Sequence, residues 1–347
     1  MFEIIELVVF FIIALIVIIK AADIFVDNVL KVGSSLGVSQ VLLGITAVAI
    51  GTSLPEYGSA LISSLNPSAG SMGVGIVVGT NIWNLAGILG IAAVISGSIK
   101  ADKKFLTRDG LMAVLVSVLL FIVMIAIFIT GSSTISKIGA ILMMMVFAFY
   151  MWILIKDQKN EAKIKEKISE HKEAVTKINE NIPEIIEDVK KPLNKKNILF
   201  VFIGLISIIL GCELLVHSAT GLCEILRIDP VIMGLFIIGI TTSLPELVIT
   251  VTSAVRGLHG MAVGNIIGTA AFNILIGVGI PSFIVVMPVD AISLYFDAPY
   301  MIAVYVLVLF LVKYNDMKLT RLTGLVLVAL YILYAILRIF IIPPFFV

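Results

Sequence analysis

Gly51-Thr-Ser-Leu-Pro-Glu56 and Thr241-Thr-Ser-Leu-Pro-Glu246 are one motif written twice in the chain, 190 positions apart. Before each comes an apolar stretch ending in glycine, Val41-Leu-Leu-Gly44 in one half and Val231-Ile-Met-Gly234 in the other. After each comes a second matched segment, Gly79-Thr-Asn-Ile-Trp-Asn84 and Gly268-Thr-Ala-Ala-Phe-Asn273, at an offset of 189. Two pairs in register make an internal duplication, and a duplication sets the architecture before any single residue is interpreted.

The duplication sits in 347 residues that are 60% hydrophobic and 14% charged, where soluble domains carry ~25% charged residues. Such a chain belongs in a bilayer. The formal charge of +1 gives no broad field for nucleic acid. Two cysteines, Cys212 and Cys223, are too few for a disulfide framework and read as small buried apolar side chains. The apolar run from Leu7 to Ile19 follows acidic Glu3 and Glu6, the wrong flank for a secretory signal, so it reads as a first span.

A spanning helix needs about 20 mostly apolar residues. Ten segments qualify: 3–30, 39–64, 71–97, 107–130, 134–155, 197–222, 229–254, 258–286, 293–313 and 320–342. The expected fold is all-α and polytopic, with ten transmembrane helices in two five-helix repeats, 1–155 and 198–347. Five is odd, so the second repeat enters the membrane inverted, the arrangement of secondary transporters with a site near the midplane. Between the repeats lies a charged linker, 156–197, without the spaced Asp residues of a calcium loop. With that linker cytoplasmic, Lys31, Lys100, Lys103, Lys104, Arg108, Arg256, Lys313, Lys318 and Arg321 fall on the same side. Lys137, Arg227 and Arg338 fall opposite, and both termini are outside.

Glu56 and Glu246 lie within apolar segments, where an ionised carboxylate is costly unless a cation or proton accompanies it. Pro55 and Pro245 each remove a backbone donor, freeing carbonyls around Ile50 to Ser53 and Ile240 to Ser243. Thr52 and Glu56, Thr80 and Asn84, Thr242 and Glu246, and Thr269 and Asn273 are each four apart, so each pair shares a helix face. The inventory is hydroxyls, amides, carbonyls and two carboxylates, with no His, Cys or Met beside them. Oxygen-only ligation selects hard cations such as calcium, magnesium or sodium. Two carboxylates balance one divalent ion, or hold several monovalent ions that compete for the same cluster. The same residues taken as helix-packing glue account for Gly44, Gly75, Gly79, Gly234 and Gly268, but not for two matched intramembrane glutamates.

These motifs resemble the cation/calcium exchanger superfamily, specifically its sodium/calcium exchanger branch of prokaryotic type, over nearly the whole chain. The resemblance implies an antiporter with ten helices, no cofactor, and Ca2+ and Na+ as alternating substrates. It implies Glu56 and Glu246 as principal calcium ligands and Thr52, Ser53, Thr242 and Ser243 as hydroxyl ligands. Ala49 and Gly239 are implied as carbonyl donors, with Thr80, Asn84, Thr269 and Asn273 completing flanking sodium positions. The first span of each repeat is implied to slide against a core of spans 2, 3, 7 and 8. Departures exist. The second repeat keeps Gly-Asn-Ile-Ile-Gly at 264–268, whereas the first has Ile76 in place of the amide. Thr80 and Thr269 replace the commoner Ser. Proton-coupled relatives carry a Gly-Asn-x-x-Glu signature instead, and potassium-dependent ones place Asp where Asn273 stands; both favour sodium coupling.

Asp23, Asp27 and Glu213 also lie at membrane depth and are left outside the site, with Lys20 a local partner for the aspartates. His171, His217 and His259 have no metal partner in sequence. Alternatives are a proton- or magnesium-coupled exchanger of the same fold, a selective channel, and an intramembrane hydrolase using the two glutamates. The last lacks a His, Lys or Arg near the motifs to polarise a substrate. The expected partners are the two ions and the lipid bilayer, with no nucleic acid and no requirement for an oligomer.

Overall fold

The computed structural model describes residues 2–35, 53–101, 103, 105–176 and 194–342. In chain order the first half contains α1 (Phe2–Ser35), α2 (Leu54–Leu65), α3 (Gly70–Ser96), strand β1 (Ser98–Lys100), α4 (Leu106–Thr130) and α5 (Ser133–Thr176). The second contains α6 (Lys195–Leu226), α7 (Pro230–Thr242), α8 (Leu244–Val255), α9 (His259–Ile284), α10 (Ser293–Tyr314), strand β2 (Lys318–Thr320) and α11 (Arg321–Ile341). Among the described residues eight helices are long and apolar enough to cross a bilayer, and α7 with α8, bent by 49°, makes a ninth span. The remaining expected span, 39–64, is described only from Ser53 onward.

Inversion of the repeats is visible in the packing of their first helices. Gly204 of α6 lies against Ala21 and Phe25 of α1, Gly211 against Ile18, and Gly221 against Leu7. Residue numbers rise along one helix as they fall along the other, so equivalent helices of the two repeats run antiparallel. The strands agree. Ser98 pairs with Thr320 and Lys100 with Lys318, which puts the end of α3 and the end of α10 at one end of the molecule.

Three features add to or depart from the sequence expectation. The first part of the 156–197 linker is helix, since α5 runs unbroken for 44 residues. At 1.5 Å per residue that is about 66 Å, twice the ~30 Å hydrocarbon layer. The fold is not purely helical, since the two three-residue strands tie the repeats together. Arg338, counted above among exposed end charges, is instead 1% exposed and bonded to Asp297. Opposite charges on neighbouring spans neutralise each other inside the protein rather than at its surface.

Burial is concentrated in α3 and α9, the helices that carry the second motif of each repeat. They form the centre, while α1, α5 and α6 present apolar faces outward, as lipid requires.

Candidate functional site

Each Ser-Leu-Pro-Glu segment makes the same backbone break. Ser53, at φ −91° and ψ 0°, precedes α2, and Ser243, at φ −87° and ψ 12°, separates α7 from α8. Proline in the first turn is compatible with a new helix but not with continuation of the old one. Ser-x-x-Glu is also the spacing of a capping box, yet neither serine side chain caps its helix.

Ser243 Oγ lies 3.1 Å from Glu56 Oε1 and 2.9 Å from the Gly239 carbonyl, and its single proton serves one of them at a time. The first contact joins the repeats directly. Thr80 Oγ1 reaches the same Gly239 carbonyl at 3.5 Å. Glu56 and Glu246 are 1% and 0% exposed and close enough to interact electrostatically. Such proximity is reached because α3 crosses α7 with no side chain between them. Gly79 lies against the backbone of Leu235, and Gly234 against the Met72 carbonyl, so any Cβ at either position would strike main chain. Thr242 donates to the Ile238 carbonyl and Thr269 to those of Asn265 and Ile266, both within their own helices. Thr52 and Ala49 lie outside the described residues.

The sequence matches the family described as sodium/calcium exchanger protein over residues 6–156 and 196–340. The chain belongs to that family. It is therefore a multi-pass membrane antiporter rather than an enzyme. It is 28% identical to the sodium/calcium exchanger MaX1 of Methanosarcina acetivorans, over 93% of this chain and 95% of that protein. Solved structures of the sodium–calcium exchanger NCX_Mj superpose with a TM-score of 0.59 at 27% identity, over 94% of this chain and 96% of that one. A shorter match, 37% identical over 28% of this chain and 15% of the relative, is to the sodium/potassium/calcium exchanger 1 of Gallus gallus.

Within this exchanger, Asn84 and Asn273 are both fully enclosed, and neither amide has a hydrogen-bond partner among the described residues. One oxygen of Glu56 is in the same position. A buried orphan amide costs ~1–3 kcal/mol, and here the cost recurs at equivalent places in both repeats. Asn84 lies in a π-helical turn, Trp83–Ile88, and a second π-helical turn, Met233–Ile238, leads into Gly239. Such turns widen a helix locally and recur at functional sites.

Two polar residues escaped the motif reading. Asn81 accepts a 2.7 Å hydrogen bond from the Tyr305 hydroxyl and donates to the Val77 carbonyl. Asn265, noted above only for its missing counterpart at Ile76, donates to Thr250 Oγ1 at 3.0 Å, one helical turn beyond Glu246. The available signal was simple: both amides stand in apolar helices, where an unpaired amide is expensive. Asp23, Asp27, Glu213 and His217 all lie on exposed faces of α1 and α6. Both cysteines are buried and unbridged, as expected. Cys212 lies 3.6 Å from the Pro55 carbonyl, which brings α6 against the turn that carries Glu56.

Proposed function

We propose that this chain exchanges sodium for calcium by alternating access, with Glu56 and Glu246 as shared ligands of one calcium ion. The observation that carries this reading is the contact from Ser243 of one repeat to Glu56 of the other, at 3.1 Å. Ser53, Thr52, Thr242 and Ser243 supply hydroxyl oxygens, and Ala49 and Gly239 supply carbonyls. Thr80, Asn84, Thr269 and Asn273 form flanking positions for sodium. Two carboxylates neutralise one divalent ion or more than one sodium ion, so the two cargoes compete. An emptied pair of buried carboxylates is strongly unfavourable, and that penalty couples departure of one cargo to arrival of the other. The α1–α6 pair, packed through its own glycine contacts, is the element that slides over the core. In the cell, repeats 1–155 and 198–347 flank a cytoplasmic linker, 156–197, with both termini outside.

Calcium-45 uptake into proteoliposomes tests the coupling. Loading with sodium should drive uptake, and loading with potassium should not. Uptake driven by a pH gradient alone would retain the fold and overturn the coupling ion.

A further inference from the structure

Outside the two Ser-Leu-Pro-Glu turns, each repeat carries a second polar assembly to which the proposed exchange assigns no role. At the start of α4, Arg108 holds both carboxylate oxygens of Asp109, at 2.7 and 2.9 Å, and reaches Asp157 at 2.9 Å. The Tyr150 hydroxyl of α5 donates to the same Asp109 at 3.1 Å. In the second repeat, at the start of α10, Arg338 Nε lies 3.1 and 3.0 Å from the two oxygens of Asp297, and its Nη2 is 3.8 Å from Asp290. The Tyr334 hydroxyl of α11 donates to Asp297 at 2.9 Å. The plan is the same twice: an aspartate opening the fourth helix, a tyrosine from the fifth, and one arginine between two aspartates. The arginines come from unrelated positions, so the shared motifs do not account for the likeness. Because β1 precedes α4 and β2 follows α10, and these strands pair, the two assemblies stand at opposite ends of the molecule.

Both clamped tyrosines lead by ring contacts to the ion-site amides of the other repeat. Tyr150 packs 6.1 Å from Phe272, which Phe147 also meets edge-on at 5.5 Å. Phe272 directly precedes Asn273. Tyr334 packs 6.4 Å from Tyr331, and Tyr331 lies 4.9 Å from Trp83. Trp83 directly precedes Asn84. Phe272 and Trp83 are equivalent residues of the duplicated segment. With no hydrogen-bond partner among the described residues, each amide takes its orientation from the packing of its neighbours. Ligands must be held to about 0.5 Å by side chains that are themselves locked. A ring whose hydroxyl is fixed to a charge-paired carboxylate cannot slide out of that packing.

We propose that the two assemblies, Asp109–Tyr150–Arg108 and Asp297–Tyr334–Arg338, are positioning elements that hold Asn273 and Asn84 of the opposite repeat through Phe272 and Trp83. The inference rests on the assignment of those amides to the ion site. It makes the wiring crossed: repeat one steadies the site half of repeat two, and the reverse.

Sodium-driven calcium exchange by the full-length protein in proteoliposomes tests this. Tyr150→Phe should raise the half-saturating sodium concentration roughly 3- to 10-fold, the scale of coupling through packed networks, with maximal rate and Tm little changed. Asp109→Asn should do the same, and the double variant no more. The Tyr150→Phe effect should vanish in an Asn273→Ala background and persist in Asn84→Ala, with the converse pattern for Tyr334→Phe. Equal effects in both backgrounds, or a loss of Tm without a change in sodium dependence, would overturn the proposal. If neither asparagine variant alters sodium dependence, the ion-site assignment fails, and the ion-binding role of the assemblies fails with it. The pinning is read separately by fluorescence. With Trp152→Phe leaving Trp83 the one tryptophan, Tyr334→Phe should shift its emission and Tyr150→Phe should not; an unshifted emission in Tyr334→Phe contradicts the pinning.

Discussion

Ser53 and Ser243 occupy matching backbone breaks, but about two turns further along the repeats part company. In the second, Thr250 and Asn265 form a hydrogen-bonded pair. In the first, the equivalent residues are Ala60 and Ile76, both fully buried. Both partners are polar or both are apolar, which avoids leaving one polar partner unmade in a part-buried place. Asn81 obeys the same logic: it is satisfied by Tyr305 in the first repeat, and Ala270 stands at its place in the second. Against that pattern Asn84 and Asn273 stand out as an equivalent pair, since neither amide has a hydrogen-bond partner among the described residues. The comparison separates residues whose polarity is balanced locally from an equivalent pair of amides that the proposed exchange assigns to the cargo.

The largest effect that would break this distinction concerns the carboxylates. Glu56→Gln and Glu246→Gln should each abolish calcium transport, lowering it roughly 100-fold or more, as truncation of a buried charged partner does; calcium-45 flux is the readout. Next comes the contrast between the two end assemblies. Arg338→Leu leaves Asp297 buried and uncompensated and should cost ~3–5 kcal/mol. Arg108 keeps 26% of its side chain exposed, so Arg108→Leu should cost about 1 kcal/mol; thermal denaturation in detergent ranks the two. Smaller still, Thr250→Val orphans Asn265 and should destabilise by ~1 kcal/mol, while Thr250→Ser should not. Last, Asp23→Asn should leave exchange unchanged, because Asp23 lies on an exposed face of α1; loss of calcium flux in that variant would move the site.

Spans, inversion and the paired glutamates were legible because hydropathy and repetition are properties of the chain alone. Nine of the ten expected segments agree with described helices to within a few residues at most ends, and the tenth, 39–64, is described only from Ser53 onward. What stayed hidden depends on partners. Arg338 near the end of an apolar segment looks like a loop charge until Asp297 is seen beside it. The π-helical turns at Trp83–Ile88 and Met233–Ile238 leave no mark on composition.

The central claim is that two inverted repeats jointly build one calcium site. Calorimetric titration of calcium into the purified protein, beside Glu56→Gln and Glu246→Gln, addresses it most directly. The account predicts a single site per chain in the unaltered protein and none in either variant at the same concentrations. A calcium site of unaltered affinity surviving in either variant would contradict it.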